Sequence, residues 1–448
     1  MNSFADLPFM IGMWPYHPEL LATPVPRYTS FPTAAEFGPV SAHLFIEQLE
    51  QVASEISLYV HIPFCEKICH YCGCNTAAAG RRHRLETYLD ALQREAALLA
   101  DHLPPNVAVS RLSFGGGSPN AISPLDFARL LSCLTVHFRL ASPHISIEVD
   151  PRAMSREWAE VIGSSGIARA SLGVQTFAPE TQASIGRIQP PEMIEQTTAW
   201  LRMAGVTSLN YDLMYGLPGQ EWSDLEDTLE RSCALGADRI ALFGYAHVPH
   251  LIPRQRVIPA DDLPGLDARF EMAARGYEYL TARGYAPVGF DHFALPADPL
   301  AIAARDGSLR RNFQGFTDDT APVLIGIGAS AISSFPELLV QNEKNSGRYR
   351  MQLSQDRLPV AHGIRRSSDD QARGKVIEAL LCQGTADLPQ ALLREAKPRL
   401  APFLDAGLAS LDGARLQIEP GGLPYARSVA ALFDPYRQDS QRRFSSAV

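Results

Sequence analysis

From Ser57 onward, short β-rich runs alternate with longer helical stretches. The runs are Ser57–Pro63, Ser110–Phe114, His144–Asp150, Arg169–Gln175, Ser208–Leu213 and Arg239–Tyr245, and helices are predicted near residues 84–102, 123–138, 155–165, 191–204 and 221–235. Strand–helix alternation of this kind predicts parallel βαβ units with right-handed crossovers. Six such units build either an open doubly wound sheet or a partial or complete barrel. Within Ile145–Asp150 the period is two: Ile145, Ile147 and Val149 share one face, and Ser146, Glu148 and Asp150 share the other. In a barrel the second face is the lumen, where a carboxylate needs either a bound cation or a structural arginine.

Chemistry-bearing residues collect at the C-terminal ends of these runs. Cysteines follow the first, Gly115-Gly-Gly117-Ser118 the second, Glu148 closes the third, Gln175 the fourth and Asp212 the fifth. Parallel α/β folds place their sites at that edge. The three glycines are expected to let the backbone approach a ligand and to offer it amide donors. A helix near 261–283 and strands at Ala286–Phe290 and Val323–Ile332 extend the unit, and Ser367–Asp370 reads as a boundary and helix cap. The expected organisation is a proline-bearing arm over residues 1–50, a barrel with its extension over 51–366, and a small, mostly helical C-terminal domain over 367–448.

Composition narrows the setting. Hydrophobic and charged contents of 46% and 20% are those of a globular chain. No apolar run reaches the roughly 18 residues of a membrane span. A net charge of −9 without a basic block argues against a nucleic-acid partner. No basic region followed by an apolar one opens the chain, so a reducing cytoplasm is the expected setting, and a monomer the expected state. Seven cysteines are too few and too odd in number for a disulfide scaffold.

Three of those cysteines fall in one window, Cys65-Glu-Lys-Ile-Cys69-His-Tyr-Cys72, with Cys74 close behind. A structural zinc site wants paired spacing with a second pair or histidines further on. Three thiolates on one loop suit a [4Fe–4S] cluster with one iron left open to a small molecule. Cys133, Cys233 and Cys382 stand alone and read as small core hydrophobes.

These features resemble the radical S-adenosylmethionine (SAM) superfamily, whose loop motif is C-x3-C-x2-C. More closely, the chain resembles the oxygen-independent coproporphyrinogen III oxidase family over about residues 24–437. The resemblance is carried by Pro26–Thr33, Tyr59–Cys65, Cys72–Asn75, Gly173–Phe177, Asp212–Pro218, Tyr245–Pro249, Asp291–Phe293, Arg311–Thr317 and Phe433–Tyr436. It implies a partial (β/α)6 barrel, a cluster on Cys65, Cys69 and Cys72, and two SAM sites. Tyr59, Gly116, Glu148, Ala246 and Ile332 match positions around the cluster-bound SAM, and Tyr71, Gly117, Ser118, Gln175, Arg187 and Asp212 match the second. Ser118 stands where a threonine is often found, keeping the hydroxyl. Arg187 binds either the second SAM or a helix-surface carboxylate.

The implied reaction is oxidative decarboxylation of two propionates of coproporphyrinogen III, with a flavodoxin- or ferredoxin-type protein as electron donor. Arg27, Arg256, Arg310 and Arg311 are candidate partners for the substrate carboxylates. His61 and His292 orient ligands or sit in the core. Cys74 has a redox or substrate-side role, or packs under the loop. Two alternative functions are a heme chaperone on the same core and a radical SAM methylase or heme-degrading relative. Cys74 and the N-terminal arm argue against the chaperone.

Overall fold

All six predicted runs are strands and lie side by side in chain order: β1 (Ile56–Ile62), β2 (Val109–Gly116), β3 (His144–Val149), β4 (Arg169–Gln175), β5 (Ser208–Tyr215) and β6 (Arg239–Gly244). The computed structural model describes residues 14–80 and 82–437, so parts of the expected arm and C-terminal domain, residues 1–13 and 438–448, lie outside the described residues. Each of the six strands pairs in parallel with the next, as in Tyr59↔Ser113 and Glu148↔Ser171. The return helices fall where the pattern put them, at Arg82–His102, Pro124–Phe138, Arg156–Ser164, Pro191–Met203 and Trp222–Ala234. Beyond β6 the sheet continues through β7 (Ala286–Val288) and β8 (His292–Ala294), both antiparallel. On the far side of β1 comes β9 (Val323–Ile327), again parallel. The ladder is a 13-stranded sheet with two free edges, a barrel open on one side.

The expected single strand over Val323–Ile332 is two antiparallel strands, β9 and β10 (Ile332–Ser334). The chain reverses at Gly328 (φ 111°) and Ser330 (φ 66°). The first return helix captures this turn: the Gly328 amide donates to Glu95 Oε2 at 2.7 Å and the Ala329 amide to the Tyr88 hydroxyl at 2.9 Å. Apolar periodicity carries no trace of a turn stabilised by residues more than two hundred positions away. After Arg365 the backbone changes character. Ser367 caps the helix Ser368–Gln383 in a reciprocal box with Asp370, and the helix Gln390–Asp405 and a three-stranded sheet follow.

The barrel strands alternate as Ile145–Asp150 suggested. Leu112, Phe114, Ile145, Ile147, Leu172, Val174, Leu209, Tyr211, Leu213, Ile240 and Leu242 are buried in the core. Most intervening positions line a lumen of about 370 Å³ beneath the strand ends and, Phe243 apart, those that do are polar. Arginines form its lowest layer. Asp318 bridges two of them, accepting two bonds from Arg169 (both 2.8 Å) and one from Arg111 (2.9 Å), while Arg239 pairs with Asp298 at 2.7 Å. Serines fill the next layer, with Ser146 donating to Ser113 and Asn210 to Ser171, each at 2.8 Å. Higher up stand Glu148 and Asp212.

Asp318 therefore closes the barrel base. Burial opposes its ionisation, yet Arg169 and Arg111 hold the carboxyl well below the usual range. Its contribution is complete above the ordinary carboxylate value and is lost as pH falls toward the lower folded value. Asp318→Ala takes the carboxylate from Arg169 and leaves Arg111 with Asp319 (3.4 Å) and should cost about 3 kcal/mol at neutral pH. Urea denaturation should show the gap between the two proteins narrowing from about pH 5 toward pH 2; a gap independent of pH would remove the ion pairs from the explanation.

Candidate active site

The strand β1 runs directly into the cysteine loop. Phe64–Cys65 bridges Ala77–Ala78, with the Ala77 amide on the Pro63 carbonyl (2.8 Å) and the Ala79 amide on that of Cys65 (2.9 Å). The loop's middle is tied at two points. The His70 amide donates to Ile185 at 2.9 Å, and the Gln255 side chain donates to the carbonyls of Tyr71 (2.8 Å) and Ala246 (3.0 Å). Gln255 is buried, whereas the sequence reading singled out its exposed neighbour Arg256. A single glutamine in a polar stretch gives no sign of which way it points.

Cys65 and Cys69 are buried, Cys72 is half-buried and Cys74 exposed. Cys69 Sγ has Arg152 Nη2 at 3.3 Å and Arg187 Nη1 at 3.4 Å, so two guanidiniums face one sulfur. The Cys65 thiol contacts Thr76 Oγ1 at 3.2 Å and is pushed up to about 11 by burial. Hydrogen bonding from Cys74 brings Cys72 down to about 6, and the same contact raises Cys74.

Across from the loop stand the strand ends. Glu148 accepts the Gly116 amide at 3.1 Å, and burial pushes its carboxyl up to about 7. Asp212 accepts Ser171 Oγ and Asn210 Nδ2, each at 2.8 Å, and is likewise raised by burial. Gln175 ends β4 at a break in register, with φ 67°. A bulge there re-aims its side chain. Arg187 is buried and donates to Asp150 and to the Gly173 carbonyl, so it serves no helix-surface carboxylate. Asp150 also takes Arg152 at 2.7 Å, and both arginines hold it ionised against the cost of burial. Arg152 was missed by sequence reading, since it lies beyond the strand in a short turn.

One expectation fails. The glycine loop offers no free amides along Gly116–Ser118: Gly116 N–H goes to Glu148, Gly117 N–H to the Ile62 carbonyl (2.9 Å) and Ser118 N–H to that of Phe64 (2.7 Å). Its glycines matter for close approach instead. A Cβ on Gly115 would sit 2.6 Å from Glu148 Oε1, and one on Gly117 2.6 Å from the Phe64 carbonyl. Ser118 Oγ is itself committed to Asn120 at 2.5 Å.

A single cavity of about 570 Å³ gathers Cys65, Cys69, Cys72, Tyr71, Gly116, Gly117, Ser118, Glu148, Gln175, Arg187, Asp212 and Ala246, together with Cys74. Tyr59 and Ile332 are not in its lining. Tyr59 packs against Phe313, Leu324 and Ala331 and contacts His61 Nδ1 at 3.1 Å, and Ile332 lines a separate cavity beside Tyr28 and Arg311. His61 is a satisfied core histidine, lowered to about 4 by burial. His292 faces the lower lumen and pairs with Asp291 at 2.6 Å. Of the candidate arginines, Arg27 reaches the cavity, Arg310 is taken by Glu378 (2.9 Å) and Arg311 binds the Arg27 carbonyl (3.0 Å).

Among the described residues, no group of three or more His, Cys, Asp or Glu side chains is set to chelate a single ion. The thiols instead share one wall of a roomy cavity. A multi-iron cluster, larger than one ion and partial to thiolates, fits that donor set. Two buried carboxylates opposite suit a cationic second ligand.

Residues 59–231 match the Radical SAM superfamily. The chain is 40% identical to an oxygen-independent coproporphyrinogen III oxidase of Bradyrhizobium diazoefficiens over 95% of this chain and 97% of that protein. It is 38% identical to one from Pseudomonas aeruginosa, covering 94% and 96%. The solved coproporphyrinogen III oxidase of Escherichia coli, a radical SAM enzyme, superposes with a TM-score of 0.89 at 35% identity, covering 95% of this chain and all of that one.

Gly117→Ala tests the close approach. Its methyl group meets backbone at Phe64, which cannot swing aside. The substitution should cost roughly 1–3 kcal/mol and displace Cys65. Thermal melting should fall, and iron retained after anaerobic reconstitution should fall with it; unchanged iron content would show that the approach does not position the loop.

Proposed function

The chain belongs to the oxygen-independent coproporphyrinogen III oxidase family of radical SAM enzymes, and from this premise we propose that it converts coproporphyrinogen III to protoporphyrinogen IX. The observation that carries this reading is the one cavity joining the three loop thiols to Glu148, Gln175 and Asp212. Cys65, Cys69 and Cys72 would hold a [4Fe–4S] cluster, which together with SAM would supply the one-electron radical chemistry for oxidative decarboxylation of a propionate to a vinyl group.

The chain's own residues bind, orient and exclude. Glu148, Gly116 and Ala246 form the side of a first SAM site, while the matching residues Tyr59 and Ile332 lie outside the cavity's lining. Tyr71, Gly117, Ser118, Gln175, Arg187 and Asp212 form a second. Glu148 and Asp212 are destabilised as anions by burial, so each gains from an incoming cation. Arg187 and Arg152 hold Cys69 by N–H···S contacts and keep Asp150 ionised. In this reading residues 1–50 are an arm, 51–366 the barrel with its extension, and 367–448 a C-terminal domain.

Among the described residues no helix is long and apolar enough to cross a membrane. A cytoplasmic monomer fed single electrons by a flavodoxin- or ferredoxin-type protein completes the proposal. Cys74 and the arm favour it over the heme-chaperone alternative.

Anaerobic reconstitution with iron and sulfide, followed by coproporphyrinogen III, SAM and a reductant, should yield 5′-deoxyadenosine and protoporphyrinogen IX. Formation of 5′-deoxyadenosine alone, or tight stoichiometric heme binding without decarboxylation, would overturn the substrate. Cys69→Ser should abolish SAM cleavage. SAM affinity should rise with pH through about 7 as Glu148 ionises, and Glu148→Gln should flatten that rise in a binding titration. If Glu148→Gln leaves the pH dependence intact, the carboxylate does not face the cation.

A further inference from the structure

Beside the reaction cavity lies a much smaller one of about 50 Å³, with Arg27 and Gly244 lining both. Its remaining wall is aromatic and aliphatic apart from Arg427 and Asp291. Asp291 is the only carboxylate lining it among the described residues, and it is engaged by His292 at 2.6 Å. Behind the wall stand two further, half-buried guanidiniums, one of which, Arg311, also lines the neighbouring cavity beside Ile332. Arg311 lies over Phe290 and Phe316 (5.0 and 4.3 Å), donates to the Arg27 carbonyl and leaves Nη1 buried without a partner. Arg269 donates to the Tyr245 carbonyl at 2.8 Å and leaves Nε likewise. Glu378 accepts from Arg310 and from the Arg311 amide, and its charge eases the Arg311 guanidinium only in part.

Arg27 itself is held flat over Phe243 (5.1 Å to the ring centre) and makes one bond, to the Gly244 carbonyl at 3.1 Å. A guanidinium carries five N–H donors, so most of its fork is left for another group. Desolvation pulls Arg269 and Arg311 below their ordinary values; Asp291 offsets part of this at Arg311 and Tyr215 part at Arg269, while Arg27 repels both. Buried positive charge in such excess is costly unless an anion enters. The space is large enough for a carboxylate and far too small for a macrocycle.

Resting on the proposed substrate reading, we propose that Arg27, backed by Arg269 and Arg311, anchors a carboxylate of the substrate in this side cavity while the ring stays in the reaction cavity. The anchored carboxylate is not the one that leaves. Loss of CO2 moves electrons out of the carboxylate, and ion pairing with guanidiniums stabilises the anion against that change. The cluster of arginines therefore fixes the register in which another side chain meets the radical.

The test uses reconstituted protein and two probes that cannot react, coproporphyrin III and its tetramethyl ester, followed by porphyrin fluorescence. Wild type should bind the acid roughly tenfold or more tighter than the ester, the scale of a charge-assisted hydrogen bond. Arg27→Gln and Arg269→Gln should lose most of that difference, and Arg27→Lys should regain part of it. In turnover, Arg27→Gln should raise KM for coproporphyrinogen III roughly tenfold with a much smaller change in kcat. If wild type converts the substrate while both glutamine variants keep the acid–ester difference, the anchor is wrong and the function stands. If wild type neither binds coproporphyrin III nor converts coproporphyrinogen III, the substrate itself is wrong and the anchor falls with it.

Discussion

A barrel that turns a polar face inward is stable only if each buried charge finds a partner. That constraint organises this chain from base to rim. The outward faces of β2 to β6 are apolar and pack under the helices, which leaves arginines, serines and carboxylates to share the lumen. At the base every charge is answered from within: Asp318 by Arg111 and Arg169, Asp298 by Arg239. The base is thereby closed and rigid, and the same arrangement leaves no room there for a ligand's charge.

The rim is built the other way. Glu148 has a single backbone donor and Asp212 two neutral ones, so both carboxylates are poorly compensated. The Asp150–Arg152–Arg187 group carries two guanidiniums against one carboxylate and turns the unmatched N–H groups toward Cys69. Rigidity below and unmet charge above are complementary. A cofactor that enters at the strand ends meets a frame that does not relax around it, which is the condition for electrostatic preorganisation. The cysteine loop joins this frame through Gln255 and the Gly117 and Ser118 amides, so thiols and strand ends move as one piece.

What the sequence disclosed follows from how local each feature is. The alternation in Ile145–Asp150 fixes which residues face inward because strand geometry depends on nearest neighbours alone. The Ser367–Asp370 cap is likewise contained in four residues. The cysteine window is legible because its three thiols lie on one loop. The turn at Gly328 was not legible, since Glu95 and Tyr88 on a distant helix make it. Nor was the role of Gln255, whose partners come from two separate loops. The glycine run was read as a place where backbone approaches a ligand and offers it donors; the close neighbours at Gly115 and Gly117 are instead Glu148 and Phe64, and the amides of Gly116 to Ser118 are taken. Which amides remain unbonded depends on how β1 and β2 end, and no motif records that.

The net charge of −9 is also a poor guide to this site. Surface charges are screened within about 8–10 Å at physiological salt, whereas unit charges 4 Å apart in a partly buried setting interact by about 4 kcal/mol. A buried pocket thus takes its sign from the few groups around it. Here the rim of the lumen is negative at Glu148 and Asp212, and the adjoining wall is positive at Arg27, Arg269 and Arg311. Two fields of opposite sign, separated by little more than Phe243 and Gly244, give a cationic cofactor and an anionic substrate separate places. Under the proposed reading, that contrast in sign assigns the two ligands to different walls, and the arm residue Arg27 lines both cavities.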